Sequence, residues 1–127
     1  MPVAKVHIAA GKGPERRKAV AQAVIAAMAM AFKIPEDDVI VLMTERGPDE
    51  IYNKDENFIL IELLALGGRS IDAKRELYRL LFDNLTHLSP MKPKDMLVML
   101  HDMPKENCGV RGGLMASDVA LEFKVNV

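Results

Sequence analysis

Pro2 carries the most distinctive chemistry in the chain. Methionine aminopeptidases generally trim Met before a small second residue, so removal of Met1 would leave Pro2 as the N-terminus. A terminal proline is a secondary amine on a rigid ring. Free α-amines titrate near ~7.7–8.0, and an apolar site or nearby cations lower that value further. An amine left neutral near cellular pH can serve as a general base, and a protonated one as an acid or electrostatic aid. Many chains begin Met-Pro without any such role, so the dipeptide alone decides nothing. Arg69 is the second residue of interest, because it stands in a glycine turn, Gly67-Gly68-Arg69, ahead of a helix. A guanidinium beside the N–H groups of a helix N-terminus can hold a carboxylate in two-pronged fashion. Taken alone, the residues favour a plainer reading, a solvent-facing turn arginine.

Other constellations carry less. Cys108, His101 and Asp102 include the types of a thiol triad. His101 and Asp102 are adjacent at a strand end, however, where side chains point to opposite faces. His7, His87 and His101 lack ligand spacing, and the acid run Glu36-Asp37-Asp38 has no accompanying ligand set, so no metal and no cofactor are expected. Gly11-Lys12-Gly13 opens a helix but lacks the rest of a phosphate-loop pattern. The methionines lie mostly in core segments and read as packing residues.

Composition narrows the class. With 127 residues, the chain has room for one domain, 1–127, built around one main core. Its net charge of −1, interspersed charges and lack of Trp argue against a nucleic-acid partner. The longest strongly apolar stretch, Ala19 to Phe32, is too short to span a bilayer, and no signal peptide is apparent. A lone cysteine cannot form an internal disulfide and fits a reducing, cytoplasmic setting.

The elements that must position Pro2 and Arg69 form two similar halves. Val3 to Ala9 alternates as a strand does, and Pro14 and Glu15 suit the first turn of a helix. Val20, Ala23, Val24, Ala27, Met28 and Ala31 repeat at helical spacing, Pro35 closes the helix, and Val39 to Thr44 reads as a buried strand. The second half replays this order. Phe58 to Leu66 is a strand, Ser70 a helix cap, and Ala73, Leu77, Leu80, Leu81, Asn84 and Leu88 a helical face. Arg79 and Asp83 pair on the other side of that helix, and Met96 to His101 is a strand. Pro35-Glu36-Asp37 and Pro93-Lys94-Asp95 occupy matching places before their strands.

The expected fold is therefore α/β (α+β): two tandem β-α-β units, about 2–45 and 58–102, making a four-stranded sheet with two helices on one face. A linker at 46–57 is expected to hold a short strand at Ile51-Tyr52. In the C-terminal segment, 103–127, alternation of Val119, Leu121, Phe123 and Val125 predicts a short strand. Continuous apolar strands such as Val39 to Met43 suit burial on both faces. Two helices cover only one face, so a homo-oligomer is expected.

A two-fold β-α-β repeat opening with Met-Pro resembles the tautomerase superfamily, typified by 4-oxalocrotonate tautomerase. The chain is most similar to its longer, fused-repeat members related to malonate semialdehyde decarboxylase. The resemblance runs from Pro2 to about Ala116 and rests on four pieces taken in order. These are Met1-Pro2-Val3, Ile34-Pro35-Glu36-Asp37-Asp38, Gly68-Arg69-Ser70 with Lys74 and Tyr78, and Met103-Pro104-Lys105-Glu106-Asn107. It implies a trimer with sheets packed inward and an active site around each Pro2. It also implies that Arg69 binds the carboxylate of a small substrate, and that Asp38 matches the aspartate the decarboxylase uses beside its proline. Asp38 read by itself is equally a loop acid beside Glu36 and Asp37.

Two departures bear on substrate. The decarboxylase and its dehalogenase relatives carry a second arginine shortly before the one matched by Arg69, where this chain reads Ala65-Leu66-Gly67-Gly68. Arg111 could supply a replacement cation, although a glycine-flanked arginine is as easily a surface residue. After Asn107 the family often places an aromatic residue, and here Cys108-Gly109 follows. The expectation is a cofactor-independent tautomerase acting on a small 2-oxo acid. Its alternatives are decarboxylation of a 3-oxo acid such as malonate semialdehyde, or a catalytically silent trimeric binding module.

Overall fold

The computed structural model describes residues 1–120 and 126–127. Strand β1 (Val3–Ala9) leads into helix α1 (Gly13–Phe32) and strand β2 (Ile40–Arg46). Strand β3 (Ile59–Leu66), helix α2 (Ile71–Thr86) and strand β4 (Met96–Met103) repeat the order. The strands form one sheet in the order β2-β1-β3-β4. β1 runs parallel to β2, β3 runs parallel to β4, and the central pair β1 and β3 is antiparallel with Lys5 opposite Glu62. A small antiparallel hairpin, β5 (Gly109–Val110) and β6 (Leu114–Met115), follows. The class is α+β, with two helices on a mixed sheet.

Alternation decides which side of the sheet is covered. Ala4, Val6 and Ile8 of β1 and Ile59, Ile61, Leu63 and Ala65 of β3 are buried in the core. The helices meet them with Val20, Val24, Ala27, Met28 and Phe32 of α1 and Leu77, Leu81 and Leu85 of α2. On the other side, Ile40 and Leu42 of β2 and Leu97 and Met99 of β4 stand half exposed. Between them lies a polar centre in which His7 Nε2 and Glu62 Oε2 are 2.8 Å apart. That hydrogen bond holds the Glu62 carboxyl below its ordinary value, and Lys5 and His101 act in the same direction.

Local chemistry sets the ends of the elements. Pro14 stands in the first turn of α1, and Lys33 closes that helix in a left-handed conformation. The Ser70 side chain accepts a hydrogen bond from the Ala73 N–H at 3.1 Å, capping α2. Arg79 donates to Asp83 at 2.9 Å, the expected i,i+4 pair, and also to Glu76. Leu88 falls beyond the end of α2, so the helical face is shorter than its spacing predicts.

Two expectations are corrected, and one falls mostly outside the described residues. Ile51-Tyr52 is not a strand: Pro48–Glu50 forms a 3-10 turn, Glu50 accepts from the Gly47 N–H, and among the described residues no strand pairs with them. Val119 lies in a bend after the 3-10 turn Ala116–Asp118, and the rest of the expected C-terminal strand, 121–125, lies outside the described residues. The two halves also match one residue differently. The turn Glu36–Asp38 corresponds to Pro93–Asp95, which places Asp38, not Asp37, opposite Asp95. Among the described residues no helix is long and apolar enough to cross a membrane.

Candidate active site around Pro2 and Arg69

Pro2 precedes β1 and is fully buried with Met1 still attached. Its carbonyl accepts from the Ile40 N–H at 3.0 Å, so the first residue of β2 fixes the ring's position. Met1 is half buried, and its amino group donates to the Asp38 backbone carbonyl at 2.9 Å. The Cys108 thiol lies 3.3 Å from the Met1 sulfur. Three of the singled-out positions thus gather at one place: Pro2 just before β1, Asp38 from the 3-10 turn before β2, and Cys108 from the loop after β4. The contact Asp38 makes with the Met1 amino group is through its backbone carbonyl.

Arg69 is held differently from a turn arginine. It is 6% exposed, donates through Nη1 to the Leu66 carbonyl at 2.7 Å, and lies with Cζ 4.6 Å from the centre of the Phe32 ring. Burial pulls its pKa below the ordinary arginine value, and Asp102 opposes that pull. Arginine titrates so high that it stays charged. Stacking on an aromatic face suits a guanidinium because its charge is spread over a flat, weakly hydrated group. Asp102 is itself paired with Lys74 at 2.6 Å. The chain's last residue also reaches this end, where the Ser70 hydroxyl donates to the Val127 carbonyl oxygen at 2.9 Å.

Arg111 is exposed in a left-handed conformation, and its Nη2 donates to the Ala120 carbonyl at 2.9 Å. That contact ties the hairpin turn to the following segment. Sequence reasoning passed over two contributors. Phe32 reads as a core residue at the end of α1, and nothing in its spacing marks it as the seat of Arg69. Cys108 draws notice only as a thiol and as a missing aromatic, although its contact is with Met1. Among the described residues no group of three or more His, Cys, Asp or Glu is placed to hold a metal ion.

The sequence model of a family described as tautomerase enzyme matches residues 48–111. Solved structures show the same fold along nearly the whole chain. A fused 4-OT wild type symmetric trimer is 26% identical, with 91% of this chain and 96% of that one covered at a TM-score of 0.81. A native fused 4-OT is 22% identical, with coverages of 92% and 98% and a TM-score of 0.84. A malonate semialdehyde decarboxylase inhibited by 3-bromopropiolate is 18% identical, with coverages of 94% and 98% and a TM-score of 0.80. No curated protein sequence matches significantly.

Proposed function

The chain belongs to the tautomerase family, and on that premise we propose that it catalyses keto–enol proton transfer on a small 2-oxo acid, with Pro2 as the base and acid. The observation that carries this reading is the setting of Pro2. Pro2 is fully buried at the head of β1, and its nitrogen is bonded to Met1, the residue whose removal would free it. Loss of Met1 turns an amide into a secondary amine, and burial favours the neutral form of such a group. That amine takes a proton from the enol oxygen or the adjacent carbon and returns it to the other. Arg69, fixed by Leu66 and Phe32, binds the carboxylate and stabilises the negative charge that develops next to it. A guanidinium already ordered by its packing loses little freedom when substrate arrives.

The half-exposed apolar rows on β2 and β4 support a homo-oligomer, most simply the trimer recorded for a fused 4-OT. The second reading is decarboxylation of a 3-oxo acid, with Asp38, whose backbone holds the N-terminal residue, assisting Pro2. The experiment is ketonisation of the enol of phenylpyruvate by wild type and Pro2→Ala, each checked by intact mass for loss of Met1. Activity in the wild type alone supports proline catalysis. Equal activity in both, or none in fully processed wild type, rejects it.

A further inference from the structure

The end of β4 brings a carboxylate to the turn that carries Arg69. Strands β3 and β4 run side by side, with Ala65 opposite Asp102 and Leu66 opposite Met103. Their pairing continues into the turn, where the Gly67 N–H donates to the Met103 carbonyl at 2.9 Å. A Cβ atom on Gly67 would lie 3.9 Å from Asp102 Cβ, so Asp102 flanks the turn itself. Alternation along β4 puts Asp102 on the side of Met96, Val98 and Leu100, the side that the helices cover. Lys74, in the first turns of α2, meets it there with Nζ 2.6 Å from Oδ2. Pro2 falls on the same side by its spacing from Ala4 and Val6, and the pairing of Val3 with Leu64 sets it at the same end of β3.

Pro2, Arg69, Lys74 and Asp102 thus share one end and one face of the sheet. Their charges do not add up to a site for two anions. Lys74 is already answered by Asp102, and Asp102 also acts on Arg69. The residues Leu66-Gly67-Gly68 ahead of Arg69 add no cation, and Arg111 is engaged by the Ala120 carbonyl. A small acid seated on Arg69 spans only a few ångströms, so a second carboxylate on it meets a fixed negative charge and a lysine that is already paired. The side chains of Lys74 and Asp102 are 26% and 40% exposed, so the pair stands at the edge of the site and not in the core. Discrimination between ligands often comes from such a repulsive group, not from an added attraction.

We infer that Asp102 is a specificity-determining residue of this site, restricting it to acids with a single carboxylate. It repels a second negative group and keeps Lys74 from binding one. The inference rests on Arg69 as the carboxylate seat proposed above, and it narrows the substrate class to 2-oxo monocarboxylates with an uncharged remainder.

2-Oxopentanoate and 2-oxoglutarate are a matched pair, alike in chain length and differing at the far end by a methyl group against a carboxylate. Each is titrated into ¹⁵N-labelled protein lacking Met1, and the midpoints are read from the amides of Gly67 and Gly68. Wild type is expected to bind 2-oxopentanoate more tightly. Asp102→Asn keeps an oxygen for Lys74 and removes the charge. The ratio of the two midpoints should then move by about tenfold towards 2-oxoglutarate, the scale of one like-charge contact. Lys74→Gln leaves Asp102 charged and should not move the ratio in that direction. A merely structural role would weaken both acids together. An unchanged ratio in Asp102→Asn, or a wild type that prefers 2-oxoglutarate, overturns the inference. Binding of neither acid by wild type rejects the Arg69 seat and the inference with it. Binding needs no proton transfer, so failure of Pro2 catalysis appears separately, as ketonisation surviving in Pro2→Ala.

Discussion

At the scale of single residues, the decisive fact is that Arg69 is a buried cation with a structural seat. Its head is clamped by the Leu66 carbonyl and the Phe32 ring, so a substitution there should be felt twice. Arg69→Lys keeps the charge but loses the flat, two-pronged face. It is expected to raise KM for the enol acid by roughly tenfold or more, with a smaller effect on kcat, measured by steady-state ketonisation. Arg69→Ala should also lower the melting temperature, because it leaves the Phe32 face and the Leu66 carbonyl without their partner. The Gly-Arg-Ser resemblance singled out Arg69, whereas its turn alone reads as a solvent-facing arginine. The burial of Arg69 was not legible, because that depends on Phe32, far away in sequence at the end of α1. Glu62 gives a second prediction. Its carboxyl is held below the ordinary value by His7, so its contribution to stability is present above the unfolded carboxylate range, near ~4.3. That contribution is lost as pH falls through the lowered folded value. Denaturant midpoints should therefore fall less steeply below about pH 4 in Glu62→Gln than in wild type.

At the scale of elements, the sequence was most informative where periodicity and caps agree. The four strands, the two helices and the cap at Ser70 all follow from apolar spacing and one hydroxyl. Ser70→Ala should cost about 1 kcal/mol in chemical denaturation, the usual loss for an N-cap. Leu81→Ala, at a fully buried point of α2, should cost roughly 2–5 kcal/mol, because a cavity opens between helix and sheet. Ile51-Tyr52 misled for a physical reason: a β-branched and an aromatic residue have strand preferences, but a strand needs a partner. Pro48 begins a tight turn there instead, and the residues end as the wall of a cavity. The two Pro-x-Asp segments suggest a correspondence between the halves that is one residue off, because their sequences match while their turns do not. Only the 3-10 turns and the exposed strand positions fix the true correspondence.

At the scale of the whole molecule, the uncovered sheet face dominates. Ile40, Leu42, Leu97 and Met99 form two apolar rows on the outer strands, flanking Lys5, His7 and Glu62. Leu42→Lys with Leu97→Lys should shift the assembly towards monomer in sedimentation velocity, because charge placed at an apolar interface must be desolvated without a partner. The need for a partner was legible from strands that are apolar on both faces. The polar strip down the middle was readable as single residues but not as a cluster, since it exists only once β1 and β3 are paired in register.

The contacts of Met1 bear on the order of events in the cell. In the folded chain this residue is half buried, tethered to Asp38 and resting against Cys108, so a peptidase would have to pull it free. If Pro2 works as an amine, trimming must come while the nascent N-terminus is still extended, before β2 closes over it. Maturation is then a race between a processing enzyme and folding. Chains that fold first keep a well-formed shell around an amide instead of an amine. Protein synthesised while aminopeptidase is inhibited should stay unprocessed, and inert, when the peptidase is restored afterwards, as intact mass and ketonisation would show together.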